Sequence, residues 1–343
     1  MILGDLGADV LKVERPLVGD DTREWGPPFD SAGRSAYFLS TNRNKLSVAI
    51  DLASADGAAR VRALAGEADV VVENFRRGAL ERWGLDVPAL LEANPRLIWC
   101  TITGFGADSD RPGYDFVVQA ESGWMAITGE PGGQPMKVGV ALADVMAGKD
   151  AAIAILAMLA SRSRGGDAAS RHLAVSLMHS ATASLVNVAQ NALVSGDDAR
   201  RWGNAHPNLV PYELFDASDR PFVIAVGNDA QFVACARAIG LEGLAADARY
   251  RTNAGRLAHR DTVVGAIRAR VRVQPAAAWL AALDEAGVPC GVVKPVLDAL
   301  REVEASALTG VSPLSPGVVR RPPPSLDEHG DLVRASGWEA FRI

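Results

Sequence analysis

Residues 46–101 read LSVAIDLASADGAARVRALAGEADVVVENFRRGALERWGLDVPALLEANPRLIWCT. Leu46 to Leu52 is an apolar-rich run of strand length. Ser54 to Glu67 has helical spacing, with Ser54 suited to the N-cap. Ala68 to Glu73 reads as a second strand, Val87 to Ala93 as a helix and Leu97 to Thr101 as a third strand. Apolar strands alternating with helices predict a parallel sheet covered on both faces. The fold class is therefore α/β, with an open, parallel, Rossmann-like sheet in a large domain.

Upstream, Met1 to Leu6 reads as the end of a helix, Gly7 as its stop and Val10 to Val13 as a buried strand. Domains rarely begin inside a helix, so a preceding strand and most of a helix are expected to be missing. Downstream, a long helix is expected from Asp144 to about Arg162, a strand at His172 to Ser176 and a helix from Leu177 to Val194. Between Gly203 and Val288 the pattern changes, with one strand (Pro221 to Val226) and helices over Asp229–Ile239, Arg256–Val271 and Pro275–Ala286. This predicts a smaller α+β domain. Gly310 to Pro324 is rich in Pro, Ser and Gly and reads as an extended return path. The expected domains are 1–195, 196–305 and a C-terminal return over 306–343.

The 343 residues suit about two domains. With 35 basic against 41 acidic residues, the net charge of -6 argues against nucleic acid as a partner. The longest apolar run, Ala151 to Ala160, is far short of the roughly 20 residues that cross a bilayer, so no membrane role is expected. Cys100, Cys235 and Cys290 are not at metal-ligand spacing, and Cys100 closes an apolar run and reads as buried. No metal site and no signal peptide are expected, and the reducing cytoplasm fits this cysteine usage. Gly4 and Gly7 precede a strand rather than follow one, so they form no GxGxxG loop, and no GxxxxGK[ST] is present.

Several segments resemble family III CoA-transferases, the CaiB/BaiF or carnitine CoA-transferase group. They are Gly4 to Pro16 with Gly19 to Arg23, Asn42 to Leu52, Val72 to Gly78, Gly113 to Ala120, and Gly203 to Pro207 with Pro211-Tyr212. Together they span nearly the whole chain in family order. The resemblance implies that Asp144, within Gly139 to Gly148, is the catalytic aspartate. It implies CoA contacts at Arg15, Lys45, Asn74, Phe75 and Arg82, with Arg76 and Arg77 as further basic candidates. Asp115 matches an acidic position near the reaction centre, and Tyr114 and His206 fall at the substrate. No permanently bound cofactor is implied; a coenzyme A thioester is the substrate.

The residue types suit this chemistry. A CoA thioester and a carboxylate exchange through a mixed anhydride, and an aspartate with an ordinary pKa of ~3.9 is ionised at neutral pH. On spacing alone, however, Asp144 reads as the N-cap of the helix that follows. A helix N-terminus would also stabilise its carboxylate and weaken it as a nucleophile. Asp115 alone reads as a turn or cap residue, Arg82 as a solvated helix charge, His206 as a surface loop residue and Lys12 as structural.

The same fold serves α-methylacyl-CoA racemases, which carry a histidine where Tyr114 stands. A tyrosine, with a pKa near ~10, is a poor base for an α-proton at neutral pH, so transfer is preferred. A further alternative is an inactive CoA-binding homologue, suggested by the short N-terminus and by Ala174 and Arg171 in place of the family's aspartate and glutamine. The run from Arg201 to Tyr212 resembles succinyl-CoA-dependent dicarboxylate transferases. The expected substrates are thus an acyl-CoA and a small carboxylic acid, with a dicarboxylic acid favoured. The resemblance also implies an interlocked homodimer.

Overall fold

Strands β1 (Val10–Glu14) and β2 (Lys45–Ala49) pair in parallel, with Val10 opposite Lys45 and Glu14 opposite Ala49. A second parallel ladder has the order β3 (Val70–Glu73), β4 (Ile98–Thr103), β5 (His172–Ser176). The accompanying helices are α1 (Ile2–Asp5), α2 (Ala36–Thr41), α3 (Ala55–Glu67), α4 (Ala79–Arg82), α5 (Val87–Ala93), α6 (Asp115–Glu121), α7 (Trp124–Ile127), α8 (Leu142–Ser161), α9 (Leu177–Ala183) and α10 (Val186–Ser195). The computed structural model describes residues 1–162 and 169–343. The α/β class with parallel strands is as expected. One difference is that the sheet comes as two ladders, because among the described residues no strand hydrogen-bonds both β1 and β3.

The chain divides into two units. Met1–Met125, Lys137–Gly196 and Leu300–Ile343 form one; Ala126–Met136 and Asp197–Ala299 form the other. In the first, Leu46 and Val48 of β2 pack with Val333 and Ala340 on one face of β1–β2. The opposite face is polar. Glu14 accepts from Arg23 at 2.7 and 2.8 Å and from the Ser47 hydroxyl at 2.6 Å, while Lys12 pairs with Asp20. Ile98, Trp99 and Cys100 are buried in succession, as a strand covered on both sides requires.

Helix α8 buries Ala143, Ala147, Ala151 and Ile155 at intervals of four, with Ala152 beside them. These fall on one face at helical spacing, and all but Ile155 have only a methyl group, so the helix lies close over β4, β5 and α9. Two helices expected as continuous are broken. Leu177–Val194 divides into α9 and α10 at Ser184, whose hydroxyl bonds back to the Ser180 carbonyl at 2.7 Å. Arg256–Val271 is interrupted at His259, whose φ of -122° is not helical.

The second unit holds an antiparallel sheet of β6 (Tyr212–Asp216), β7 (Pro221–Ala225) and β8 (Cys290–Val292). Its helices are α11 (Asp229–Ala238), α12 (Glu242–Ala246), α13 (Asn253–Ala258), α14 (Arg260–Val271) and α15 (Ala276–Glu285). Phe215, Phe222, Ile224, Phe232, Ile267 and Trp279 lie in its core. Buried Arg256 donates to the Val210 and Tyr250 carbonyls and to Asp229.

The C-terminal return is bound within the first unit by one residue ahead of β2. Asn44 is 2% exposed and holds a left-handed φ of 61°. Its side-chain nitrogen donates to Asp5 and to the Val318 carbonyl, both at 2.8 Å. Its side-chain oxygen accepts from the Arg320 and Arg321 amides at 2.6 and 2.9 Å. Neighbouring Arg43 pairs with Asp5 at 2.8 Å and donates to the Thr309 and Val311 carbonyls. Removing the Asn44 side chain strands several buried polar groups, each costing about 1–3 kcal/mol. Asn44→Ala should therefore lower the melting temperature by several degrees and expose residues 309–321 to proteolysis; unchanged melting and digestion would contradict this.

Candidate active site

The site starts where β4 ends. Gly104 follows the strand and meets Gly113 backbone to backbone: a Cβ built on Gly113 would lie 2.4 Å from the Gly104 Cα. Only glycine permits this approach. It closes the loop between them and delivers Tyr114 and Asp115 to the carboxyl end of the parallel ladder, where open α/β sheets bind their ligands. Tyr114 occupies the N-cap of α6 and is 68% exposed.

Asp115 then reaches to a second helix. Its Oδ1 accepts from the Ala143 amide at 2.8 Å, in the first turn of α8. Its Oδ2 accepts from Gln119 Nε2 at 2.7 Å, one turn along α6. The expectation that Asp144 caps its own helix is corrected here. The helix begins at Leu142, Ala141 is the cap residue with no side-chain bond, and the capping carboxylate is Asp115. Asp144 falls in the first turn, next to the inward-facing Ala143, and so at the rim of the packed face. Among the described residues no side chain hydrogen-bonds its carboxylate.

The electrostatics also differ from the sequence expectation. The helix start does not hold Asp144 low. Asp144 keeps an open face, yet desolvation by its packed surroundings, and next the Asp115 charge, push its carboxyl up to about 6. Tyr37 of α2 shares this environment: partial burial and then the Asp144 and Asp115 carboxylates raise its hydroxyl. Its ring meets Trp25 edge to face at 4.9 Å. The sequence reading missed Tyr37 because it sits in the same short turn as buried Phe38 and Leu39, where an aromatic reads as core. It also missed Gln119, whose one signal is an amide inside the apolar run Val117-Val118-Gln119-Ala120.

The other candidates are spread out. Asn74 and Phe75 follow the carboxyl end of β3, and Phe75 meets Trp83 edge to face at 5.1 Å. Arg82 closes α4 with its guanidinium exposed, and Arg76 is also exposed, whereas Arg77 is tied to Asp110 at 2.6 Å. Arg15 follows the carboxyl end of β1, exposed and paired with Asp21. Lys45 opens β2 at the other end of the pair, so about 15 Å of strand separates them. Lys45 is enclosed and donates to Asn42 at 2.9 Å; burial first, then the Lys12 charge, hold its ammonium down to about 8. His206 belongs to the second unit, where its Nδ1 accepts from the Asn208 amide at 3.0 Å. That bond leaves the ring proton on Nε2, and burial and then the Arg260 charge lower its pKa. Arg171 donates to the Leu91, Asn94 and Leu97 carbonyls, a structural use for that departure. Among the described residues no cluster of three or more His, Cys, Asp or Glu is gathered to hold a metal ion, and no helix is long and apolar enough to cross a membrane.

The family model of CoA-transferase family III matches residues 1–330. The chain belongs to CoA-transferase family III. It is 41% identical to a succinate–glutarate CoA-transferase of Agrobacterium fabrum, over 97% of this chain and 90% of that protein. It is 36% identical to an acetyl-CoA:oxalate CoA-transferase of Acetobacter aceti, over 98% and 85%. Among solved structures, a CaiB/BaiF family protein from Brucella suis superposes with a TM-score of 0.83 at 40% identity, over 97% of this chain and 93% of that one. The protein is thus a CoA-transferase, and its resemblance in sequence extends to the fold.

The raised carboxyl of Asp144 carries a stability cost in this transferase. The folded chain keeps its proton up to about pH 6, while the unfolded chain loses it near the ordinary aspartate value of 3.8. The penalty is absent below that lower value, grows across the interval and is complete above it. Discounted for the open face of the residue, it amounts to about 1 kcal/mol. Asp144→Asn should therefore melt higher than the parent at pH 7.5 and equally at pH 4; a lower melting point at pH 7.5 would contradict the assignment.

Proposed function

We propose that this transferase moves CoA from a dicarboxylic acyl-CoA, succinyl-CoA first among them, to a second small dicarboxylic acid, with Asp144 as the covalent carrier. The observation that carries the reading is the Asp144 carboxylate itself. It is unpaired, more basic than an ordinary aspartate and set beside Asp115. A base with a pKa near 6 is mostly ionised at pH 7 and is a stronger nucleophile than one near 4. The relatives named for succinate, glutarate and oxalate support the substrate class.

The steps balance without redox change. An Asp144 oxygen attacks the thioester carbonyl, the C–S bond breaks, and the CoA thiolate leaves with the electron pair. An acyl–aspartyl anhydride remains. The thiolate then attacks the Asp144 carbonyl carbon of the anhydride and expels the donor acid as its carboxylate. The resulting aspartyl-CoA thioester is attacked by the acceptor carboxylate, giving a second anhydride and free thiolate. Attack of that thiolate on the acceptor acyl carbon yields the new thioester and restores Asp144.

Asn74, Phe75 and Arg82 at the end of β3, with Arg15 at the end of β1, are proposed to hold the CoA nucleotide. A CoA contact by Lys45 would require its ammonium to leave Asn42. Tyr114 is proposed to face the acyl group, and His206, in the second unit, is proposed separately as a substrate-loop residue. We also propose a homodimer. Helix α10 buries none of its residues, and Val186, Leu193 and Val194 are exposed, as are Ile153 and Leu156 of α8. Exposed apolar side chains of this number favour association. An active monomer by sedimentation would overturn the dimer.

The transfer is tested by incubating the protein with succinyl-CoA and glutarate, oxalate or a monocarboxylic acid, and following new CoA esters by mass spectrometry. Transfer to the dicarboxylic acids is expected, with a rate that falls as the pH drops through about 6. Hydroxylamine should leave a hydroxamate on Asp144. Asp144→Ala should lose transfer by several orders of magnitude; equal turnover by this variant would remove Asp144 from the mechanism. Deuterium uptake at the acyl α-carbon in heavy water, with no acceptor present, would favour the racemase. Binding of CoA esters with no transfer would favour the inactive homologue.

A further inference from the structure

The residue that fixes the nucleophile lies one layer behind it. Gln119 is fully buried, and its amide makes three hydrogen bonds. Nε2 donates to Asp115 Oδ2 at 2.7 Å and to the Val140 carbonyl at 3.3 Å. Oε1 accepts from the Val138 amide at 2.8 Å. The last two contacts hold the segment that leads into α8, and the first holds the carboxylate that caps it. We propose that Gln119 is a positioning residue of the transfer reaction, locking Asp115 and the 138–140 segment together so that the first turn of α8 presents Asp144 in one orientation.

The amide is chemically suited to this place. It offers two donors, toward Asp115 and the Val140 carbonyl, and an acceptor toward Val138 at once, whereas a hydroxyl has a single proton to donate and a carboxylate none. Without it, Asp115 Oδ2 and the Val138 amide each lose a partner in a partly buried setting, and the Val140 carbonyl keeps only the Leu142 amide. Asp115 is then free to turn away from the Ala143 amide. The titratable groups around Asp144 are Asp115 from α6 and Tyr37 from α2. Lys137 precedes the segment and donates to the Val138 carbonyl at 3.4 Å. The packing around Ala143 from β5, β4 and α9 is apolar, with Val175, Ile102, Leu177 and Ala181.

This inference rests on the covalent role proposed for Asp144, and two measurements keep the two separable. The first reads structure alone. In Gln119→Leu, amide hydrogen exchange of residues 138–143 should accelerate at least tenfold, while exchange in β4 and β5 stays at the parent level. Parent-like protection of residues 138–143 overturns the proposal whatever the activity. The second reads catalysis, on the acid pair that the parent enzyme turns over best. Gln119→Leu should lose about a hundredfold in kcat with KM for the CoA ester within about threefold of the parent, because misplacement is felt in the transition state. Gln119→Glu should match the parent's rate at acid pH, where a protonated carboxyl still donates to Asp115. It should lose activity as pH rises and the new carboxylate repels Asp115, giving a descending alkaline limb that the parent lacks. An unchanged kcat in Gln119→Leu, or a Gln119→Glu profile matching the parent, sinks the positioning role. If the parent transfers CoA but Asp144→Ala does too, the failure belongs to the covalent reading, and the exchange measurement still judges Gln119.

Discussion

The hydrogen bond from the Ala143 amide to the Asp115 carboxylate joins the two elements on which the site depends. One is a helix that leaves the parallel ladder through a closed loop; the other is the longest helix among the described residues. The bond supplies the cap that α8 lacks from its own sequence, since Ala141 offers no acceptor side chain. It also sets a second carboxylate beside Asp144. Capping and electrostatic tuning are therefore one interaction: a charge that satisfies the helix start raises the basicity of the next residue.

That coupling resolves a conflict in the chemistry. A helix N-terminus would ordinarily favour an ionised, weakly nucleophilic aspartate. Here burial and Asp115 act in the opposite direction and carry Asp144 to about 6. At that value it is still ionised at neutral pH, the form that the proposed covalent role requires. The structure accepts a local instability at this residue. The rest of the first unit offsets it through closely packed alanines on α8, and through the Asn44 and Arg43 bonds that tie the C-terminal return to the start of β2.

Several features of the sequence had their physical meaning reassigned by the fold. The Asn42 to Lys45 motif supported the family resemblance, yet its middle residues serve the architecture: Asn44 for its left-handed turn and four side-chain bonds, Arg43 for its pairing with Asp5. Lys45 turns into an enclosed polar region at the amino end of β2, whereas Asn74 and Arg82 stand in the open near the end of β3. Gly104 and Gly113 are far apart in a one-dimensional reading and touch in space.

Sequence by itself determined the alternation of apolar strands and helices, hence the α/β class, because strand and helix periodicities are local properties of the chain. It also supplied Asp144 and Asp115 as candidates, through the resemblance carried by the segments around them, and the burial of Cys100 through its apolar run. Only the tertiary structure decided that Asp115 caps α8, that Asp144 carries a raised pKa, and that Tyr37 and Gln119 belong to the same site. The reason is physical. A cap borrowed from another helix, a desolvation and a buried amide bridge each depend on which groups meet across the fold, and residue spacing along the chain does not encode those meetings.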